Sequence, residues 1–250
     1  MSTALLRLIL CTAWCIYVDP GGKSPALYAQ ALNFIPKELD YQGHPVSPHD
    51  PVERFYPVGW SLDSKLAYVR VRWEDGKGSH IWSFTIQYMK SDEIIWNYLY
   101  DRSEDAEFDG EMDIETFWKR HESMFLDSLK SHGIHPTKDF MLEPVSFQHN
   151  GRQYETTVDT LKKYDEGFGL TSITSVSVTV MASGLGKKEV YRISKTGFTG
   201  IMSAAVVGHL LSPFEERIAI LYVESHWGWE GPPNPTVFKL IGCHLKLGFK

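Results

Sequence analysis

Apolar and polar residues alternate over much of the chain, which is the pattern of β-strands with one buried face. The clearest case is Leu66–Trp73, where apolar residues at the odd positions alternate with Arg70 and Arg72. A glycine-rich turn follows, and aromatic and β-branched residues then predict strands at residues 80–89 and 93–100. Three sequential strands with short connections predict an antiparallel meander.

The second half of the chain continues the same pattern. Strands are predicted at residues 173–181, 189–194, 201–208, 217–224 and 236–247. The segment 154–164 fits either a strand or a short helix. Most of the folded part is therefore predicted to be β-structure.

One segment has the helical period instead. It begins at Asp113, a good N-cap, and apolar residues then recur at helical spacing as far as Leu129. Gly133 is a natural stop. The pattern predicts a single amphipathic helix at about residues 113–132, with its apolar stripe buried on a sheet of the same protein.

The first residues have the features of a secretory signal peptide. Arg7 precedes an apolar run of 11 residues, Leu8–Val18, and Ala29–Ala31 offers a small-residue cleavage site. The run is shorter than the roughly 20 residues that span a bilayer, and no later segment is apolar enough to do so. We therefore predict a signal peptide at residues 1–31 and a periplasmic or secreted protein. A buried N-terminal strand or helix is the alternative.

The cysteines bear on the same question. Cys11 and Cys15 each stand near the position of a bacterial lipoprotein cysteine, but neither follows the small residue that such a site needs. A lipid anchor through one of them is therefore the less favoured alternative to simple export. Cleavage after residue 31 would leave Cys243 alone, without an intramolecular disulfide, and its apolar strand neighbours predict a buried thiol.

Residues 32–54 form a distinct region because they contain four prolines between Pro36 and Pro51. Prolines at this density exclude a long helix or a central strand. We expect the segment to lie over the domain as an extended strap. Residues 55–250 are then expected to form a single β-rich domain that includes the helix.

A short motif occurs twice in the chain. Trp60–Val69 and Leu211–Leu221 each contain a serine, a short turn, a basic residue and then an apolar–Ala–apolar strand. The two copies resemble the blade motif of TolB-like (WD40-like) β-propellers, in which a Trp-Ser-Pro-Asp-Gly turn leads into such a strand. In the first copy Leu62 and Ser64 replace the Pro and Gly of that motif.

The resemblance implies sheets arranged like propeller blades. A blade needs about 40 residues and a closed ring at least four blades, for which the chain has hardly enough residues beyond its strap and helix. We therefore predict a mainly β fold of antiparallel blade-like or sandwich sheets with one inserted helix. An α+β fold is the alternative.

Composition limits the classes of function. Hydrophobic residues make up 43% and charged residues 22% of the 250-residue chain, as in folded soluble proteins. The net charge of −6 argues against a nucleic-acid-binding protein. Zinc-protease, nucleophile-elbow and phosphate-loop motifs are all missing, so no catalytic residue or cofactor is predicted. His132 and His135 have the H-x-x-H spacing of metal ligands, but the glycine and proline beside them break the helix that would align the two rings. The ten histidines are therefore expected at the surface, and no metal site is predicted.

The connection His226–Pro235 is the most unusual stretch, because it places Trp227 and Trp229 in a Gly/Pro-rich link between strands. Their rings could stack on a sugar or capture an apolar group of a partner protein, while His226 and Glu230 supply polar contacts. The alternative is a loop that folds back so that its tryptophans cover the core.

The leading functional hypothesis is an exported protein without catalytic activity that acts as an interaction or scaffold module with an envelope protein. Two alternatives stay open. One is a small-ligand or glycan binder that uses the 226–235 connection, and the other is a hydrolase with Asp, Glu and His residues from separate loops. Missing motifs decide little between them, because catalytic groups converge in space rather than in sequence.

Overall fold

The alternating pattern folds into antiparallel strands, as the sequence predicts. The computed structural model describes residues 34–41, 52–74, 79–101, 112–228, 231 and 234–250. Residues 35–250 form one compact unit. The predicted signal peptide at 1–31 and residues 32–33 and 42–51 of the predicted strap lie outside the described residues.

The first sheet contains the predicted meander. Its strands are β1 (Arg54–Ser61), β2 (Lys65–Glu74), β3 (Ser79–Tyr88), β4 (Glu93–Asp101) and β5 (Ile134–Pro136). They lie in the order β4-β3-β2-β1-β5, and every neighbouring pair is antiparallel. The short strand β5 thus extends the sheet on the side of β1.

The helix α1 (Ile114–Ser131) connects β4 to β5. Its N-terminus is capped by Asp113, whose carboxylate accepts a hydrogen bond from the Thr116 N–H at 2.7 Å. Just beyond its C-terminus, Gly133 has a φ of +66°, a conformation that favours glycine. The predicted helix at 113–132 is therefore confirmed.

Aromatic side chains hold this helix against the outer face of the first sheet. The Phe125 ring of α1 lies with its centroid 4.5 Å from that of Phe84 on β3, and Phe117 lies 5.2 Å from Trp82 on the same strand. All four side chains are buried. The apolar stripe of the helix is thus covered by a sheet of the same protein, as its period predicts.

Two further sheets complete the fold. Their strands are β6 (Ser146–His149), β7 (Arg152–Asp165), β8 (Leu170–Ala182), β9 (Gly186–Ser194), β10 (Ile201–Leu211), β11 (Arg217–His226) and β12 (Thr236–His244). Strands β10-β11-β12 form one sheet and β6-β7-β8-β9 the other, again with antiparallel neighbours. The segment 154–164, left open between strand and helix, is part of β7.

The sheet β10-β11-β12 lies between the other two. Alternate residues of β11 enter two different cores: Ile218, Ile220 and Tyr222 pack with the β6–β9 sheet, and Ala219, Leu221 and Val223 pack with the β1–β5 sheet. Because both of its faces are covered, β11 is buried along nine of its ten residues. The layers are therefore helix, first sheet, middle sheet and third sheet.

One close backbone approach fixes the first sheet to the middle one. A Cβ on Gly242 of β12 would lie 1.8 Å from the Met89 carbonyl oxygen, so only glycine fits there. The Asp92 carboxylate in the same β3–β4 turn accepts a hydrogen bond from the Gly242 N–H at 2.7 Å. The turn is thereby docked on the backbone of β12.

Both copies of the repeated motif form hairpins. The first connects β1 to β2, where the Ser61 hydroxyl oxygen accepts a hydrogen bond from the Lys65 N–H at 2.8 Å. The second connects β10 to β11, where the Ser212 N–H donates to the Arg217 carbonyl at 2.9 Å. The described sheets stack in layers, with no closed ring of blades among them, and the resemblance to propeller blades stays a prediction.

Within the proline-rich region, the described residues 34–41 contain no helix or strand, and Arg54 at its end is the first residue of β1. Leu39 and Tyr41 are buried, and the Tyr41 ring meets Phe238 of β12 edge to face at 6.1 Å. No helix among the described residues combines the length and the apolar character needed to cross a membrane.

Candidate functional site

The predicted site residues begin at the end of β11. His226 is the last residue of that strand, and Trp227 follows it directly. Both side chains are half-buried. Trp229 and Glu230 lie outside the described residues, so the structure places only the first half of the predicted constellation.

The partner of His226 is a buried carboxylate, Glu224, two residues earlier on β11. Its Oε2 atom lies 3.0 Å from His226 Nε2. Its Oε1 atom accepts hydrogen bonds from the Tyr222 hydroxyl and from Lys239 Nζ on β12, each at 3.0 Å. Tyr191 of β9 adds its hydroxyl to the same group, 3.2 Å from Lys239 Nζ. We call these residues the Glu224 cluster.

Hydrogen bonding decides the charge of the Glu224 cluster. Burial alone would raise the pKa of Glu224, but the hydrogen bonds from His226, Lys239 and Tyr222 hold that pKa at about 2. The same carboxylate raises the pKa of Lys239 against the opposing effect of burial. Burial also raises the pKa of Tyr222. At neutral pH the cluster therefore contains a carboxylate whose two oxygens both have partners.

Sequence reasoning missed Glu224 and Lys239. The sequence contains a signal for Glu224, because this residue lies on the same face of the predicted strand as Tyr222. A charged residue at such a core position needs a partner. Lys239 could not be found in this way, since its contact depends on the register in which Tyr222 pairs with Lys239 across β11 and β12.

Trp227 bonds to the edge of β8 at a point beyond the end of β9. Its indole N–H donates to the Thr171 carbonyl at 3.2 Å, and its backbone N–H donates to the Gly200 carbonyl at 2.8 Å. The Thr199 hydroxyl donates to the next outward carbonyl of β8, that of Ile173, at 2.6 Å. Trp227 therefore has a structural role in addition to its exposed ring surface.

Large apolar side chains lie exposed at the tip of the β7–β8 hairpin, next to Trp227. Phe168 is 64% and Tyr164 59% exposed. Tyr164 is paired in the sheet with Thr171, the residue that receives the Trp227 indole. Phe168 stacks on Phe198 with ring centroids 4.4 Å apart and an interplanar angle of 18°. We call these four residues, Tyr164, Phe168, Phe198 and Trp227, the aromatic end.

Catalysis or metal binding would need a suitable group of side chains among the described residues. No three His, Cys, Asp or Glu side chains there are grouped so as to hold a metal ion. The pair Glu224–His226 has the carboxylate–imidazole arrangement of a general base, but no described hydroxyl or thiol bonds to the His226 ring. Cys243 is fully buried, and burial raises the pKa of its thiol to about 11, as expected for an inert cysteine.

One histidine contradicts the expectation that these residues lie at the surface. His209 on β10 is fully buried, and its Nδ1 atom bonds to the Pro144 carbonyl at 2.9 Å while Nε2 lies 2.8 Å from the Thr156 hydroxyl of β7. Burial lowers its pKa to about 4, so the ring is neutral. It is a core residue because two polar partners satisfy both of its nitrogens.

The chain has also been compared with protein-family models, with curated proteins and with solved structures, and none of them matches it.

Proposed function

We propose that this chain is an exported, periplasmic protein that binds an envelope protein without catalysing a reaction, and that the aromatic end is its binding surface. The observation that carries this proposal is the exposure of Phe168 and Tyr164, at 64% and 59%, beside the half-buried Trp227. Neighbouring exposed aromatic side chains of this size mark binding surfaces in soluble proteins.

The physical reason is the surface chemistry of aromatic rings. Each ring offers a large apolar area with few rotatable bonds, so a partner that covers it gains burial at a small cost in conformational entropy. Stacking on Phe198 orders the Phe168 ring before a partner binds, and the hydrogen bond to Thr171 orders the Trp227 ring in the same way. Such ordering favours tight binding, because less freedom is lost when the partner arrives.

The Glu224 cluster supports binding over catalysis. In a carboxylate–imidazole pair the imidazole is the base, and it needs a nucleophile or a substrate proton within hydrogen-bond reach. No described hydroxyl or thiol bonds to the His226 ring, and both oxygens of Glu224 already accept hydrogen bonds. The Glu224 cluster instead supports the connection that follows β11. His226 belongs to the cluster and also donates its backbone N–H to the Pro235 carbonyl, at the other end of that connection, at 2.9 Å.

A site-specific crosslink tests this surface directly. A photoreactive phenylalanine analogue is placed at Phe168 in the full chain, in its native host, and the crosslinked species are identified by mass spectrometry. Leu247 is the matched control, because it is 63% exposed near the C-terminus and away from the aromatic end. The proposal predicts one defined envelope protein crosslinked at position 168 and absent at 247. Equal or no labelling at the two positions would contradict it.

The export part of the proposal rests on the sequence features of residues 1–31 and has its own test. The intact mass of the protein purified from its native host is measured. A mature chain that begins at Leu32 supports cleavage and export, whereas a diacylated cysteine would establish the lipid anchor. An uncleaved chain in the cytoplasm would overturn the proposed location.

A second candidate function, glycan binding, is favoured by the stacked geometry of one aromatic pair. Phe168 packs one face on Phe198 and stays 64% exposed, which leaves ring surface for a sugar. Titration with soluble cell-wall fragments should then change the tryptophan fluorescence of the native protein, and a Phe168→Ala variant should lose the response. An unchanged spectrum in the native protein would remove this candidate.

A further inference from the structure

The outer half of β7 has a free edge. On one side it pairs with β8 along its whole length, and on the other β6 pairs with it only as far as Glu155. The Thr156 N–H still bonds to the Val145 carbonyl at 2.9 Å, and no described residue pairs with this side of residues 157–165. Residues 159–164 are all exposed.

Alternation along the strand shows which backbone groups face that edge. Thr156 directs its N–H toward β6, whereas the Leu161 carbonyl lies on the β8 side and accepts a hydrogen bond from the Thr174 hydroxyl at 3.3 Å. The even-numbered residues therefore direct their N–H and C=O groups to the free edge. Four of them, Val158, Thr160, Lys162 and Tyr164, can bond to an added strand.

The side chains along this edge are complementary to themselves. Asp159, Leu161 and Lys163 share one face, and the sequence is arranged symmetrically about Leu161. In a two-fold antiparallel pairing centred there, Asp159 lies opposite Lys163 of the second copy and the two Leu161 residues face each other. On the other face, Val158 lies opposite Tyr164.

We propose that a second copy of this chain binds to the β7 edge, with residues 158–164 of the two copies paired antiparallel about Leu161. The two Asp159–Lys163 pairs give the register its charge complementarity, and cross-strand pairs of opposite charge stabilise antiparallel strands. Leu161, 64% exposed in one chain, meets its counterpart at a position where side chains approach closely, because this pair forms no hydrogen bonds between its backbones.

The lysines on this edge have a double effect. Lysines on an exposed edge normally oppose pairing with other strands. In the two-fold register, however, Lys163 meets Asp159 and Lys162 meets Thr160, so the same charges select this one partner and alignment. The strand itself is regular, because the extra residue of the irregularity in this hairpin, Thr174, belongs to β8. An isologous pairing of this kind closes at two copies.

The outer edge of β4, with which no described strand pairs, provides a contrast. A two-fold pairing about its central residue, Asn97, would place Glu93 opposite Asp101 of the second copy. Like charges directly opposite one another destabilise strand pairing. The symmetric pairing of β4 therefore lacks the charge complementarity of the symmetric pairing of β7. Seven paired residues form a small interface, so the association is expected to be weak and concentration-dependent.

Charge-swap variants of the full chain test the pairing by sedimentation equilibrium. Asp159→Lys and Lys163→Asp each replace two attractive pairs with two repulsive ones, and each should weaken dimerisation about tenfold or more. The double variant, Asp159→Lys with Lys163→Asp, restores opposite charges and should recover the native dimerisation constant. A mixture of the two single variants should form heterodimers, because all of its cross-strand pairs are then attractive.

Both substitutions lie at exposed positions, and circular dichroism checks that each variant is folded. A native protein that is monomeric at every concentration would overturn the proposal. A dimer that the single variants do not weaken, or that the double variant does not restore, would place the dimer contact on another surface and would equally overturn it.

Discussion

Strands β11 and β7 belong to neighbouring layers, but they differ in how far their side chains are buried. Every residue of β11 except the last is buried, because sheets cover both of its faces. β7 is partly buried only as far as Val158, and residues 159–164 are exposed, including Leu161 and Tyr164. Apolar residues of β11 are explained by the core, whereas those at the outer end of β7 have no core to explain them.

This difference separates residues that maintain the fold from residues available for contact with other molecules. The buried strand requires its side chains for packing, so their substitution reports stability. The outer end of β7 and the exposed Phe168 of the aromatic end are tolerant of substitution as far as stability is concerned, and their substitution reports association.

The largest expected contrast comes from one substitution made in both strands. Leu221→Ala in β11 should lower the free energy of unfolding by about 2–5 kcal/mol, because it leaves a cavity between two sheets. Leu161→Ala in β7 should change it by less than about 0.5 kcal/mol. Urea denaturation at low protein concentration measures both. Equal losses in the two variants would show that the outer half of β7 is packed after all.

A second prediction concerns the buried half of β7, where Thr156 meets His209. The pKa of His209 is lowered to about 4 by burial, against 6.5 in the unfolded chain, so the unfolded state binds the proton first as pH falls. The stability that the neutral His209 ring contributes should be fully present above pH 6.5. The free energy of unfolding should then decrease by about 3 kcal/mol as pH falls to 4. Urea denaturation across this range measures the decline.

The matched variant for this pH effect is His209→Gln, which removes the titrating ring. It is expected to be less stable at neutral pH, because the hydrogen bonds to Pro144 and Thr156 are disturbed. Its stability should nevertheless fall less steeply than that of the native protein between pH 6.5 and 4. Parallel curves for the two proteins would assign the pH dependence to other groups.

The smallest expected effect is the difference in stability loss between a Trp227 variant and a Phe168 variant of the aromatic end. Trp227→Phe removes the indole hydrogen bond to Thr171 and should cost about 1 kcal/mol of stability. Phe168→Ala, at a largely exposed position, should cost less than about 0.5 kcal/mol but should abolish binding of the partner. Thermal unfolding and a binding assay read out the two properties. A reversed order of the stability losses would show that Phe168, not Trp227, holds this region together.

The same comparison explains how far the sequence predicts the fold. Alternation in Leu66–Trp73 predicts β2, and the Asp113 cap with the Gly133 stop predicts α1, because both signals are local. The segment 154–164 is ambiguous because it leaves the core halfway along, so no single period describes it. The order of the layers is not local information, since it depends on which sheet covers which face of β11.

The candidate site was predictable only in part for the same reason. His226 and Trp227 are conspicuous in the sequence, and the structure places them together at the end of β11. The Thr171 carbonyl that bonds to Trp227 belongs to β8, 56 residues away in the chain. Lys239 bonds to Glu224, the partner of His226, and is brought there by the pairing of β11 with β12, 15 residues away in the chain. Contacts of this kind have no local signature.

Hydrogen exchange along β7, measured at several protein concentrations, tests most directly whether its outer half contacts a second molecule. The even-numbered amides, Val158, Thr160, Lys162 and Tyr164, should exchange fast in dilute solution and become protected as concentration rises. The odd-numbered amides between them should be protected throughout, because they face β8. Even-numbered amides that exchange at the same fast rate at every concentration would contradict the account.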